Sequence, residues 1–188
     1  MVKGTKTELN LLKAFAGESQ ARNRYNMYAS VAKKEGYEKI ADVFATTASN
    51  EFEHAKLFYG KLEGGPVEIT ATFPAGDKKT TLENLNYAAS GEKEEANDLY
   101  PEFAKVAKEE GFNDIADLFE RISTIEAHHQ KRYEQLYNLV KKGFFQRDEV
   151  VEWECRECGY IHVGKTPPEM CPVCVHPRAY YQLKLDIY

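Results

Sequence analysis

Apolar residues recur at helical spacing along four long stretches of the chain. Glycine stands just past the end of the first and third stretches, at Gly36 and Gly111, where a residue in the left-handed conformation closes a helix. The sequence therefore predicts two helical hairpins. Their four helices are Lys6 to Lys34, Glu38 to Leu62, Thr81 to Glu109 and Asn113 to Lys141.

The segment between the second and third helices is too long for a tight turn. Residues 64–80 contain Gly-Gly-Pro, a β-like VEITATF and another proline. Two hairpins with short loops, joined by one long connection, form the ferritin-like version of the four-helix bundle. We therefore expect a mainly α-helical, ferritin-like bundle with one long crossover.

The two predicted hairpins are copies of each other. AKKEGYEKIADVF, which starts at Ala32, returns as AKEEGFNDIADLF at Ala107, an offset of 75. Tyr25 and Tyr100 keep this offset, whereas Glu18 and Glu92 differ by 74. One extra residue therefore lies between Glu92 and Tyr100. An insertion inside a helix typically forms a π-bulge, and such bulges are frequent at functional sites.

Each predicted helix places one glutamate within its apolar face. The four are Glu18, Glu51, Glu92 and Glu126. His54 and His129 each follow a glutamate by three residues, on the same face. Buried carboxylates repel one another and need compensation. Two cations provide it, and one Glu from each of two helices plus Glu-x-x-His from each of the others is the di-iron bundle pattern. Oxygen-rich sites with one imidazole per metal favour iron or manganese.

The extra residue draws attention to Glu95, three positions after Glu92. The first half of the repeat has only Gln20 or Ala21 at the corresponding place. Glu95 is therefore a candidate fifth carboxylate ligand, on one metal only, which would make the two metals inequivalent. The alternative is a local kink without a role.

The composition changes near residue 145, after which cysteines, prolines and β-forming residues become frequent. We place a first domain at residues 1–145 and a second at residues 146–188. Two Cys-x-x-Cys pairs predict a tetrahedral four-sulfur site in the second. Its ligands would be Cys155, Cys158, Cys171 and Cys174. The spacing permits zinc or iron, and the neighbouring redox-capable bundle favours iron.

Charge and composition exclude several classes of protein. The 188 residues carry a formal net charge of −5, so the basic surplus typical of a nucleic-acid binder is missing. No apolar run reaches the ~18 residues that a membrane helix needs. The N-terminal MVKGTKTELN has no features of a secretory signal. Clustered cysteines indicate a metal site in a reducing compartment. We therefore expect a cytoplasmic protein.

Nearly the whole chain resembles the rubrerythrin family, which joins a ferritin-like di-iron bundle to a C-terminal rubredoxin-like domain. The matching stretches are AFAGESQARNRY, NEFEHAK, SGEKEEANDLYP, IEAHHQKRY, CRECGY and CPVCVHP. The sequence departs from rubredoxins at Val175, where a glycine usually follows the second cysteine pair. The resemblance implies two irons in the bundle and one iron in the four-cysteine site, with zinc possible there.

The resemblance also implies roles for individual residues. Glu18 and Glu51 would bridge or share the two irons. Glu95 and His54 would be alternative ligands on one iron, the carboxylate when it is oxidised and the imidazole when it is reduced. The remaining bundle ligands would be Glu92, Glu126 and His129. Tyr25 and Tyr100 would donate hydrogen bonds to ligand carboxylates.

The family's activity makes this chain an expected peroxidase, which would reduce hydrogen peroxide to water and protect against oxidative stress. An external electron-donor protein, a rubredoxin or a reductase, would supply electrons through the four-cysteine iron. The expected assembly is at least a dimer with head-to-tail sites. Two other functions stay open on the residues: a ferroxidase or iron store, and a non-enzymatic module with a structural zinc ribbon.

Overall fold

The computed structural model describes residues 1–76 and 79–184, and its larger part is a four-helix bundle. Each hairpin pairs two antiparallel helices across a turn closed by a left-handed glycine, Gly36 (φ 82°) or Gly111 (φ 85°). The helical elements are α1 (Lys6–Lys34), α2 (Glu38–Tyr59), α3 (Thr81–Glu94), a π turn (Glu95–Leu99), α4 (Tyr100–Glu109) and α5 (Asn113–Lys142).

Threonine side chains begin one helix in each hairpin. The Thr5 hydroxyl accepts from the Glu8 amide at the start of α1. Thr80 and Glu83 form a reciprocal capping box at the start of α3. At its other end, α2 stops at Tyr59, three residues before the predicted end. From Lys61 the amides bond three residues back instead of four, which is the tighter winding common at a helix end.

The third predicted helix is interrupted where the repeat has its extra residue. The backbone winds as a π turn over Glu95–Leu99 and returns to α-helix at Tyr100. The predicted π-bulge is thus confirmed. Pro101, which has no amide proton, lies just after the π turn, so one helical hydrogen bond is missing at this point.

Two groups of aromatic rings fill the bundle interior, and each takes three rings from one hairpin and one from the other. The tyrosine-rich group consists of Tyr25, Tyr28, Phe44 and Tyr133, and the phenylalanine-rich group of Tyr100, Phe103, Phe119 and Phe58. Within each group, neighbouring ring centroids lie between 5.0 and 6.4 Å apart. The metal-site candidates lie between these two groups.

The C-terminal part holds a three-stranded antiparallel sheet. Its strands are β1 (Val151–Cys155), β2 (Ile161–Gly164) and β3 (Tyr181–Leu183), in the order β2-β1-β3. Phe145 packs against both the bundle core and the small core around Trp153, and it stacks on Tyr37. The domain boundary between residues 145 and 146 stays a prediction. Across the described ranges, no helix is long and apolar enough to cross a bilayer.

Candidate metal centres

Two groups of buried carboxylates and imidazoles meet in the middle of the bundle. We call them the His54 cluster (Glu18, Glu51, His54, Glu126) and the His129 cluster (Glu51, Glu92, Glu126, His129). Within each cluster, one donor atom from every residue lies within 4.8 Å of the others. The four helices therefore bring together six of the seven bundle residues that the sequence proposed as ligands.

The short distances centre on the two imidazoles. His54 Nδ1 lies 2.9 Å from Glu51 Oε2 and 2.9 Å from Glu126 Oε1. His129 Nδ1 lies 2.8 Å from Glu126 Oε2 and 3.2 Å from Glu51 Oε1. An octahedral cation with bonds of about 2.1 Å separates neighbouring ligand atoms by about 3 Å. The spacing therefore suits one cation in each cluster.

The donor atoms also lack other partners. Within the described chain, six carboxylate oxygens of the clusters and both Nδ1 atoms are buried and make no hydrogen bond. They approach one another closely without hydrogen-bond alignment, as expected of atoms directed at a common point. Unpaired buried carboxylates are costly, and cations remove that cost. The residues thus fit a pair of metal ions.

Without a cation, bound protons must neutralise the buried carboxylates. Burial raises the pKa of Glu18 well above its usual range and that of Glu92 to about 8. Burial alone would lower the pKa of each histidine, but the carboxylates outweigh it, raising the pKa of His54 to about 9 and that of His129 to about 12. Cations entering the clusters therefore displace protons.

A tyrosine from each hairpin holds a glutamate of the other hairpin. The Tyr25 hydroxyl donates to Glu92 Oε1 at 2.5 Å, and the Tyr100 hydroxyl donates to Glu18 Oε1. All four side chains are buried. Glu18 and Glu92 each belong to only one of the two clusters, and these bonds fix the orientation of their carboxylates. This is the arrangement expected of hydrogen-bond donors to metal ligands.

The structure departs from the expected sharing of ligands. Glu51 and Glu126 belong to both clusters, whereas Glu18 belongs only to the His54 cluster. The expected pair of Glu18 and Glu51 would join two residues that are not counterparts in the repeat. Because the hairpins are related by approximate two-fold symmetry, equivalent residues share equivalent positions, and Glu51 and Glu126 are equivalent.

Glu95 lies beside the His54 cluster but belongs to neither cluster. Its carboxyl is close enough to Glu92 and Glu18 for their charges to interact, and burial raises its pKa well above the usual range. It also lines a cavity together with Tyr100. In this arrangement His54, not Glu95, is the side chain that completes the cluster.

The four cysteines converge in the small C-terminal part. Cys155 and Cys174 have sulfurs 3.6 Å apart, as do Cys158 and Cys171. Four sulfurs bound tetrahedrally at about 2.3 Å lie about 3.8 Å from one another. The geometry therefore fits a single four-thiolate ion, and zinc and iron fit equally.

Backbone amides favour thiolates at this site. Burial opposes ionisation of Cys171, but the N–H groups of Cys174 and Val173 outweigh it and lower the pKa of that thiol to about 6. Val175 follows this pair with a left-handed φ of 62°, as Gly159 follows the first pair with φ 75°. The departure at Val175 thus leaves the turn in place, with a branched side chain in a conformation that favours glycine.

Sequence reasoning missed two polar residues next to the His129 cluster. The hydroxyl of buried Tyr133 faces Thr47, which partly offsets the rise in the pKa of Tyr133 that burial causes. Their repeat counterparts are Phe58 and Ile122. The signal was present in the sequence, since the repeat has a hydroxyl-bearing residue at Thr47 and at Tyr133 where its other copy has an apolar residue.

Comparison with known proteins agrees with this architecture. The family model described as Rubrerythrin matches residues 10–137, and the one described as Rubrerythrin, rubredoxin-like domain matches residues 153–182. The rubrerythrin of Porphyromonas gingivalis is 57% identical over 96% of this chain and 91% of its own length. That of Nitratidesulfovibrio vulgaris is 49% identical over 97% and 96%.

A solved structure of nigerythrin in its mixed-valence state superposes with a TM-score of 0.65 at 34% identity, covering 98% of this chain and 92% of its own. These findings confirm the predicted fold class, a mainly helical ferritin-like bundle followed by a small rubredoxin-like domain with four clustered cysteines. The chain belongs to the rubrerythrin family.

Proposed function

We propose that this protein is a non-haem di-iron peroxidase that reduces hydrogen peroxide to water and protects against oxidative stress. The observation that carries the proposal is the pair of buried clusters that share Glu51 and Glu126, in one chain with a four-thiolate site. Two adjacent cations and a separate one-electron site suit a two-electron reduction.

The donor set favours iron in the bundle. Each cluster offers three carboxylates and one imidazole, ligands that suit iron better than zinc or copper. Reduction of hydrogen peroxide to two waters takes two electrons and two protons, and a ferrous pair supplies both electrons and Lewis acidity. In this proposal the four-cysteine site also holds iron, since electrons must enter the bundle.

The chain's own residues would hold the two cations at a fixed separation. Glu51 and Glu126 belong to both clusters, so the two helices that carry them would set that separation. Tyr25 and Tyr100 orient Glu92 and Glu18. Exposure of the cluster side chains is 5% or less, which excludes bulk water from the reaction site.

Glu95 and His54 act as alternative ligands at the His54 cluster. While Glu95 stands outside the cluster, burial raises the pKa of its carboxyl and disfavours the charged form. Entry into the cluster as a carboxylate would add a negative charge, which stabilises a ferric ion more than a neutral imidazole does. The exchange therefore follows the oxidation state of the metal.

Electron delivery is proposed to run between chains, in a homodimer at least, with head-to-tail subunits. Within one chain, Arg156 of the cysteine domain pairs with Asp42 at 3.4 Å. Asp42 precedes Glu51 by nine residues of α2, which is about 14 Å of helix. A cysteine domain seated there is displaced along α2 from the clusters of its own bundle, and we propose a partner's bundle as the recipient.

The reductant is proposed to be an external protein, a rubredoxin or a reductase, in the cytoplasm. Free cysteines at all four positions are consistent with a reducing compartment.

A visible spectrum tests the peroxidase proposal. Reduced, anaerobic protein receives about one equivalent of hydrogen peroxide per di-iron site, and the colour of ferric four-thiolate iron is followed. We expect the colour to return quickly, and much faster than with oxygen. A faster return with oxygen would favour a ferroxidase, and a colourless protein would remove the electron-input role.

Subunit exchange tests the route between chains. Glu126→Ala inactivates the bundle, and Cys158→Ser with Cys171→Ser inactivates the cysteine site. We expect the mixture to regain activity after exchange, because each mixed dimer contains one intact pair. No recovery, with exchange verified by mass spectrometry, would contradict transfer between chains.

A further inference from the structure

A cavity beside the bundle offers a route by which a ligand larger than hydrogen peroxide could reach the clusters. A cavity of about 280 Å³ lies between α1, the π turn with α4, and residues 70–74 of the crossover. Glu95 and Tyr100 line it, and the Tyr100 hydroxyl is bonded to Glu18 of the His54 cluster. Among the predicted bundle ligands, only Glu95 is not fully buried. The cavity therefore opens on the side of the His54 cluster.

The cavity is too large for its expected occupant. A water molecule, which is close in size to hydrogen peroxide, takes about 30 Å³ of liquid volume. The cavity volume is near the lower end, about 300 Å³, of sites that bind small organic ligands. A single ring with a short substituent fits this space.

The walls are apolar and the charges at the rim balance. Phe73, Leu99 and Phe103 supply most of the large apolar groups. Lys13 and Arg24 on α1 stand opposite the carboxyl groups of Glu94 and Glu95. An excess of positive charge would favour an anion, and this rim has none. The lining favours an uncharged ligand with an aromatic or branched apolar tail.

Gly17 keeps the passage open between the wall and the site. A Cβ at this position would stand 3.8 Å from the Phe73 ring and 4.0 Å from Glu95 Oε1. Glycine is unfavourable inside a helix relative to alanine. Any larger side chain would extend into the gap between Phe73 and Glu95.

The roof of the cavity is loosely attached. Among the described residues, no hydrogen bond joins residues 66–76 to the bundle. Phe73 packs over Gly17 and is only partly buried. Because packing alone holds this segment, it can adjust to ligands of slightly different shape.

From these observations we infer that the cavity binds neutral organic hydroperoxides, the tail against Phe73, Leu99 and Phe103 and the peroxide group toward Glu95 and Tyr100. The inference rests on the proposed function, which supplies the electrons. The O–O bond breaks, and the hydroperoxide ROOH takes up two electrons and two protons to give the alcohol ROH and one water. The reduced iron pair provides the electrons and solvent provides the protons.

Binding of the product alcohol tests the site independently of turnover. The probe is 2-phenyl-2-propanol, the product of cumene hydroperoxide, titrated into the iron-loaded oxidised protein and followed by ligand-observed NMR. We expect paramagnetic broadening of its signals. Gly17→Val should weaken binding about tenfold, since it fills the passage, whereas Ala16→Val, which adds a valine outside the cavity, should change it less than about twofold. Leu99→Trp fills the cavity from the opposite wall and serves if Gly17→Val fails to load iron.

Turnover separates this inference from the proposed function. We expect Gly17→Val to lower the ratio of kcat/KM for cumene hydroperoxide to that for hydrogen peroxide about tenfold. No binding of the alcohol, or binding that neither Gly17→Val nor Leu99→Trp weakens, overturns the inference. Reduction of hydrogen peroxide without reduction of cumene hydroperoxide also overturns it and leaves the proposed function standing. Failure to reduce either peroxide refutes the proposed function as well.

Discussion

The two halves of the bundle present equivalent ligands in different surroundings. Five ring pairs of the tyrosine-rich group recur at offset 75 in the phenylalanine-rich group. One group nevertheless contains three phenol hydroxyls and the other only that of Tyr100. The Tyr133 hydroxyl faces Thr47, where the other half has Phe58 and Ile122.

The halves also differ in what stands beside each cluster. The π turn and Glu95 occur only in the second half, and they place an extra carboxyl and a cavity next to the His54 cluster. The first half has Gln20 or Ala21 at the corresponding place, so Glu95 has no counterpart in the repeat. The repeat therefore accounts for the shared ligands, and the single inserted residue accounts for the difference between the two cation positions.

The largest effect is expected from removing a shared carboxylate. Glu126→Ala removes ligand atoms from both clusters, so both cations should be lost. The affinity for the cations should fall by more than about 100-fold, the largest loss typical of changing a residue that only hydrogen-bonds a ligand. Glu92→Ala should weaken only the His129 cluster. Iron per chain, with the four-cysteine absorbance as internal standard, measures this. Full loading of Glu126→Ala would contradict the sharing seen in the structure.

The next largest effect is expected from changing Glu95, which has no counterpart in the other half of the repeat. Glu95→Gln keeps the shape and removes the charge, so peroxide turnover should fall about 10- to 100-fold while bundle iron and helix content stay unchanged. Asp98→Asn removes an exposed carboxylate from the same π turn and is the matched control. Unchanged steady-state rates in Glu95→Gln would refute the exchange of ligands.

Much of this architecture follows from the sequence, for a physical reason. Glutamates in apolar helix faces are costly enough to be diagnostic, so Glu18, Glu51, Glu92 and Glu126 could be selected without coordinates. The clusters share Glu51 and Glu126, whereas the family resemblance implied Glu18 and Glu51, and helical phase could not decide between them because it gives the face of a residue and not its depth. Nor could the cavity be predicted, since it depends on how residues 70–74 of an irregular crossover lie over Gly17.

Without the metals, the stability of the folded protein should fall as the pH rises. In the apoprotein, the pKa of Glu92 is raised to about 8 and that of His54 to about 9. The folded state then binds more protons than the unfolded state between about pH 4.5 and 9, so its stability falls as the pH rises. We expect the apoprotein to melt several degrees lower at pH 9 than at pH 6, measured by circular dichroism.

Iron-loaded protein is the control for this measurement. Its ligands have already lost their protons, so it should not show the fall. Equal melting temperatures of the apoprotein at both pH values would mean that the clusters are compensated in some other way.

Exchanging one ring between the halves should have a moderate effect. Phe58→Tyr buries a hydroxyl where Ile122 replaces Thr47, and an unpaired buried hydroxyl costs about 1–3 kcal/mol. The reverse exchange, Tyr133→Phe, should cost less than about 1 kcal/mol. Urea unfolding of the two loaded variants gives both values. A Phe58→Tyr variant as stable as the parent would show that the second group can accommodate a polar atom.

The smallest effect concerns the other internal repeat, the two cysteine turns. Gly159 and Val175 occupy equivalent left-handed positions, and their amides donate to the carbonyls of Cys155 and Cys171 at 2.8 and 3.0 Å. The Val175 side chain is 64% exposed, so it contributes little packing. The left-handed conformation costs a branched residue about 1–2 kcal/mol, and the greater freedom of unfolded glycine offsets roughly half of that.

Val175→Gly should therefore stabilise the four-cysteine site by about 0.5–1 kcal/mol. The guanidinium midpoint for loss of its visible absorbance measures the change. Val173→Gly is the matched control, because Val173 is equally exposed, at 63%, and lies in the same turn without a left-handed φ. That variant should be neutral or slightly destabilised. A gain of equal size in both variants would show that side-chain removal, and not relief of backbone strain, stabilises the turn.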